Sequence, residues 1–194
     1  FEREFRLLSK LRHHNLIAVH DYGQHEDYPF FVMDYIEGTD LWSFYQKQLR
    51  NHTTEGRVRL LLPLMAQIIS ALDYIHTHRV VHQDLKPANI LLDGTYERAF
   101  LADFGLAREL RHDISMVTHA GFLGTLGYAP PEIVERGRLD GRADLYSLGV
   151  ILYICFADRR PIPVKGRALH EIAMAVLEEE PPPISSFCPD LPPL

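Results

Sequence analysis

The sequence predicts an α+β protein, with a small helix-plus-sheet part first and a larger, mostly helical part after a seam near residue 36. Three observations lead there. Phe1, Phe5, Leu8 and Leu11 recur at helical spacing, so residues 1 to about 12 read as an amphipathic helix. "LIAVHDYG" (16–23) and "PFFVMDYI" (29–36) are short β-rich runs split by "QHEDY", the pattern of an antiparallel pair. Beyond residue 36, helical periodicity dominates.

The elements follow in order. "EGTDLWSFYQKQL" (37–49) reads as a turn and a short helix, with Thr39 or Asp40 as its N-cap. From Val58, apolar residues at Leu61, Leu62, Met65, Ile69, Leu72 and Ile75 predict a long helix ending near residues 76–78. Strands are expected at 90–92 and 99–102, joined by a turn at "GTYE". An irregular segment from about 105 to 129 carries four glycines and is longer than ordinary connections, which marks it as functional or disordered. Helical patterns resume at 131–136, 141–157 and 167–180, before a Pro-rich tail.

Composition narrows the function classes. The chain has 194 residues, 46% apolar and 24% charged, which is ordinary globular composition. A formal net charge of -6 with interspersed signs argues against nucleic acid as a partner and leaves no polybasic membrane patch. No apolar run reads as long enough for direct membrane insertion. Two cysteines, Cys155 and Cys188, make no disulfide framework and no zinc spacing, which fits a reducing, cytoplasmic setting.

The chemistry concentrates in "HQDLKPANILLD" (82–93) and "LADFGLAR" (101–108). Asp84 lies two residues before Lys86, so a carboxylate and an ammonium can flank one reacting group. Asn89 and Asp103 both offer hard oxygen ligands suited to Mg²⁺ beside phosphate oxygens. An acceptor hydroxyl at Asp84, and a transferring phosphoryl neutralised by Lys86 and a metal, use all four residues at once.

These segments resemble the eukaryotic-type protein kinases, Ser/Thr type. His82–Asn89 is similar to the catalytic loop, Asp103-Phe104-Gly105 to the metal-binding turn, and Pro130-Pro131-Glu132 to the end of the activation segment. "DLYSLGVILY" (144–153) resembles the central buried helix, in which Asp144 ties down the catalytic-loop backbone. "DLKPANILLD" and "GTLGYAPPE" resemble the bacterial members. The resemblance implies a two-lobe fold, with residues 1–35 as a partial N-lobe and 36–194 as a C-lobe incomplete at its end.

It also implies roles. Asp84 is the catalytic base and orienter, Lys86 stabilises the γ-phosphate of ATP, and Asn89 and Asp103 hold Mg²⁺. Thr125 bonds to Asp84 and Lys86, and this threonine together with Lys86 points to Ser/Thr acceptors on protein substrates. Met33 is the gatekeeper, Asp34 and Tyr35 present backbone groups to adenine, Asp40 reaches the ribose, and Leu91 floors the adenine. Glu4 matches the helix glutamate that pairs with an ATP-binding lysine, and Leu8, Val19, His82 and Phe104 form a spine between the lobes. Several of these positions have plainer readings from residues alone: Asp40 or Asp144 as a helix cap, Glu4 as a solvated charge, and Met33, Val19, Leu8 and Leu91 as core.

The sequence also departs from the family pattern. No "GxGxxG" occurs and no Lys precedes Lys10, so the resemblance implies a piece of a longer kinase, with little phosphotransfer by the polypeptide as written. A pseudokinase or docking module is the rival reading, opposed by the intact set Asp84, Lys86, Asn89 and Asp103; a non-kinase binding domain is a further one. Pro130 stands for the usual Ala, which the start of a helix accommodates. Gln83 stands for the usual Arg, so a phosphorylated activation-segment residue lacks that bidentate cationic partner, although Arg108 and Arg111 lie nearby in sequence. A Ser115→Ala/Thr118→Ala double variant of the full-length protein, compared with its parent after phosphatase treatment, is therefore expected to lose about tenfold or less in kcat/KM. A loss of several hundredfold restored by Glu at either position contradicts this.

Overall fold

The computed structural model describes residues 5, 8–26, 28–103, 126–135, 137 and 139–191. Helix at the start of the chain reaches only Leu8, short of the 12 residues expected from periodicity; Leu11 to His13 are irregular. The N–H of Ser9 closes the last helical turn on the Phe5 carbonyl, and Leu8 and Leu11 are buried.

Strands β1 (Val19–His25) and β2 (Tyr28–Met33) form the antiparallel pair, with a tighter connection than "QHEDY" suggested. A second sheet holds β3 (Gly38–Asp40), β4 (Ile90–Asp93) and β5 (Ala99–Leu101), in the order β3-β4-β5, all antiparallel. The sequence gives no sign of β3. Its three residues lack β-formers except Thr39, and its pairing partner is some 50 positions away. Gly38 is required there, because a Cβ would sit 1.9 Å from the Leu92 carbonyl oxygen.

Helix α1 (Leu41–Lys47) is capped by Asp40, whose Oδ1 accepts from Ser43 N at 3.0 Å and Oδ2 from Ser43 Oγ at 2.8 Å. Helix α2 (Thr54–Thr77) starts four residues before the expected Val58, because Thr53 Oγ1 caps it by accepting from Gly56 N. Pro63 sits within α2 on its exposed side, where the missing N–H costs a bond but the buried face still holds the helix. At 24 residues, α2 has the length and apolarity of a membrane span, which the sequence reading missed. Its face of Leu61, Leu64, Met65, Ile68, Leu72 and Ile75 is nonetheless packed into the main core.

Three further helices follow: α3 (Pro131–Val134), α4 (Arg142–Ala157) and α5 (Leu169–Glu178). Pro130 occupies the N-cap of α3 and Pro131 its first turn, as the Ala-to-Pro departure required. Helix α4 buries Leu148, Val150, Ile151, Ile154 and Phe156 against α2 in one core that also takes in Leu8, Leu16 and Val19. Both cysteines are buried thiols, and burial pushes Cys155 up to about 12.

One buried cation joins the segment after α1 to α2 and α4, and reaches α1 itself through Asp158. Arg57 is 7% exposed, yet every guanidinium nitrogen is used. Nε donates to His52 O, Nη1 to the carbonyls of Cys155 and Phe156, and Nη2 to Arg50 O and Asp158 Oδ2 at 2.7 and 2.8 Å. Asp158 ends α4 in the left-handed region (φ 55°), and its Oδ1 accepts from Tyr45 OH at 2.6 Å. Burial pushes the Asp158 carboxyl up, but the bonds from Arg57 and Tyr45 outweigh it and hold the group below the usual range.

Candidate active site

Residues 82–89 run between α2 and β4, and the buried Asp144 fixes their path. Asp144 is not the cap of its own helix. It is the third residue of α4, 1% exposed, and its carboxylate points at the loop. Oδ2 accepts from His82 N at 2.9 Å and is paired with His76 Nε2 at 2.7 Å; Oδ1 accepts from Gln83 N at 2.9 Å. These bonds hold Gln83 at φ 66°, a conformation that costs a non-glycine residue free energy.

His82 is fully buried, and burial is the main influence lowering its pKa, against the bond to Ala102 O and the charges of Asp144, Asp84 and Asp103. A neutral imidazole has one N–H. Nε2 lies 2.9 Å from the Ala102 carbonyl and must donate, which leaves Nδ1 to accept from Asp84 N at 3.3 Å. The side chain thus connects the loop to β5.

Three predicted site residues meet on one carboxylate. Lys86 Nζ lies 2.7 Å from Asp84 Oδ2, and Asn89 Nδ2 donates to Asp84 O at 2.9 Å and to Oδ2 at 3.3 Å. Asn89 is buried, with both amide contacts directed to Asp84; among the described residues no donor reaches its Oδ1. Asp103 is brought alongside by backbone. Ala102 N donates to Asn89 O at 2.9 Å while Ala102 O accepts from His82, so the next residue leaves the sheet beside the loop. Asp103 turns there at φ 54° and is exposed.

Of the second group of predicted residues, Leu91 packs on an apolar patch separate from the main core. Ile17, Phe100 and Ala102 are buried together, with Leu91 and Ile36 packed against them. Leu91 faces Asp40 across one strand pair and Phe100 across the other. Met33 ends β2, and Asp34 to Ile36 link it to β3. Asp34 N donates to Ala18 O at 3.0 Å; among the described residues no partner uses the Asp34 carbonyl or the N–H groups of Tyr35 and Ile36. Asp40 serves as the α1 cap on the rim of this patch.

Glu4, Phe104, Thr125, Ser115, Thr118, Arg108 and Arg111 lie outside the described residues. The residues just after Thr125 are held to α4, since Ser147 Oγ donates to Tyr128 O at 2.8 Å. Sequence reasoning missed His76, Ile36 and Ile17. A buried acid at Asp144 did signal a partner, but His76 is 68 positions away and carried no local mark of the role.

A catalytic-type loop clamped by a helix acid, beside a strand-borne acid and an apolar patch under a strand-to-strand link, defines a protein-kinase fold. The chain belongs to the protein kinase domain family, whose model matches residues 1–189. It is 36% identical over 195 residues to the serine/threonine-protein kinase PknJ of Mycobacterium tuberculosis, covering 98% of this chain and 32% of that protein. It is 33% identical to PrkC of Bacillus subtilis, covering 99% of this chain and 28% of PrkC. Among solved structures, the PknI kinase domain of Mycobacterium tuberculosis superposes with a TM-score of 0.70 at 26% identity, covering 98% of this chain and 64% of that one. The chain therefore spans about a third of the length of these curated relatives, and the expected likeness to bacterial Ser/Thr members holds. The family uses ATP and Mg²⁺ generally.

Proposed function

We propose that this domain transfers the γ-phosphoryl group of ATP to Ser or Thr hydroxyls of protein substrates. The observation that carries the reading is the convergence of Lys86 and Asn89 on the Asp84 carboxylate, 2.7 and 3.3 Å away. Asp84 accepts a hydrogen bond from the acceptor hydroxyl, orients it, and takes its proton late. Lys86 swings from Asp84 to the transferring phosphoryl and offsets its charge. Asn89 spends its N–H₂ on Asp84, so its Oδ1 remains for a cation, and Asp103 supplies a second hard oxygen.

Among the described residues no three His, Cys, Asp or Glu side chains form a metal cage. Asn89 Oδ1 and Asp103 offer two hard oxygens, and Mg²⁺ is commonly held by one or two protein ligands with phosphate oxygens and water. When bound, the metal neutralises phosphate charge during transfer. The patch around Leu91 takes the adenine, with the Asp34 carbonyl and the Tyr35–Ile36 backbone at its edge, Met33 at its back and Asp40 toward the ribose. Roles for Thr125, as a partner of Asp84 and Lys86, and Glu4, as a partner of an ATP-binding lysine, rest on the family resemblance. So does the division into lobes at residues 1–35 and 36–194, while a cytoplasmic location rests on the two cysteines, which make no disulfide framework.

The test is transfer of labelled γ-phosphate by the full-length protein to a general protein acceptor, with phosphoamino-acid analysis. Mg²⁺-dependent labelling of Ser and Thr, abolished by a chelator, is expected. Mg·ATP binding without transfer to any acceptor or to itself overturns the reading in favour of a pseudokinase.

A further inference from the structure

Strand β1 contains an irregularity that aims a side chain at the adenine edge. Its pairing with β2 is regular from Asp21–Val32 to His25–Tyr28, but Val19 stands opposite Met33, so β1 carries one extra residue, His20. Bulges of this kind redirect a side chain. His20 Nε2 lies 2.6 Å from Asp34 Oδ1, and Ala18 N donates to Asp34 Oδ2 at 3.2 Å. With Asp34 N on Ala18 O, both carboxylate oxygens and the amide of Asp34 are tied to residues 18–20. Its carbonyl is the remaining polar group.

The bond from His20 is the largest influence holding the Asp34 carboxyl below the usual range; partial burial opposes it, and Ala18 N and the charge of Arg12 add to it. An ionised Asp34 accepts from both Ala18 and His20. Packing does little to fix the next residue, because Tyr35 is 88% exposed.

We propose that His20 is a positioning residue for nucleotide binding: by clasping the Asp34 carboxylate it sets the direction of the Asp34 carbonyl and of the Tyr35–Ile36 backbone toward the adenine. This rests on the reading of residues 33–36 as the adenine edge. His20 touches neither nucleotide nor reacting atoms, so its effect belongs in ATP affinity and not in the chemical step. The pair is half exposed, which limits the effect to a modest one.

The experiment uses the full-length protein with His20→Ala, His20→Gln, Asp34→Ala and the Ala/Ala double variant. His20→Ala is expected to raise KM for ATP roughly fivefold, with kcat and KM for the protein acceptor within about twofold. Gln presents an N–H donor at a reach near that of Nε2 and should restore most of the affinity, while His20→Ala added to Asp34→Ala should change nothing further. An unchanged KM for ATP in His20→Ala overturns the proposal. So does failure of Gln to restore it, or a joint fall in kcat, both affinities and melting temperature. Calorimetric titration of the unaltered protein with Mg·ATP separates the two levels. No binding there removes the adenine reading itself; binding there that His20→Ala leaves intact removes only the clasp.

Discussion

Asp84→Asn in the full-length protein is expected to lower kcat for the proposed transfer by about two to four orders of magnitude while Mg·ATP still binds. Asn keeps the shape and an acceptor oxygen but can neither take the proton nor carry charge opposite Lys86, which sits 2.7 Å away. The buried amide of Asn89 loses only its longer contact, because its bond to the Asp84 backbone carbonyl survives. The loop should therefore keep its form. Asp103→Asn is expected to act differently, weakening Mg·ATP binding and losing activity through it, because a neutral amide replaces the carboxylate of the two hard-oxygen ligands proposed for Mg²⁺. Calorimetric titration of both variants with Mg·ATP separates them. Equal loss of nucleotide affinity in the two would contradict the assignment of acceptor-side and metal-side roles.

Asp144→Ala is expected to have the largest effect on stability of any single change near the site. Removing the carboxylate takes the Asp144 acceptor from the buried N–H of His82 and the partly buried N–H of Gln83, and its partner from His76. Unsatisfied buried donors cost about 1–3 kcal/mol each, so a loss of roughly 3–5 kcal/mol follows. In a domain of this size that lowers the melting temperature by roughly 6–20 °C. The backbone at Gln83 also loses what holds it at positive φ, so the amides of residues 82–84 should exchange with solvent far faster than those of α2. A melting temperature within about 2 °C of the parent, with unchanged exchange at those amides, would show that the carboxylate does not carry this load.

What could be read beforehand divides by distance along the chain. Asp84, Lys86 and Asn89 span six residues, so their meeting on one carboxylate was legible from spacing alone. Asp103 was visible because an acid follows an apolar strand at a glycine turn. Partners separated by many residues left no trace: His76 with Asp144, and β3 with β4. Arg57 was hidden for another reason. In "EGRVRL" it reads as a surface charge beside Arg59, and only the folded chain shows that one arginine is buried and the other 78% exposed. Helix α2 began early because its cap, Thr53, precedes Gly56, a residue that weakens helical periodicity. The bulge at His20 had no compositional mark, since a β-rich run looks the same with or without one extra residue.

The Arg57 guanidinium has a consequence for the order in which the chain acquires its structure. Two of its acceptors, the carbonyls of Arg50 and His52, are local, but the carbonyls of Cys155 and Phe156 and the Asp158 carboxylate lie 98 to 101 positions downstream. At a synthesis rate of about 5–20 residues per second, several seconds separate the emergence of the cation from that of its last acceptor. During that interval the side chain must stay hydrated, so α2 cannot settle its first turn into the core. Closure waits for the end of α4, and contacts at such separation are slow to form. The first turn of α2 is thus expected to dock only once the sequence through Asp158 has left the ribosome.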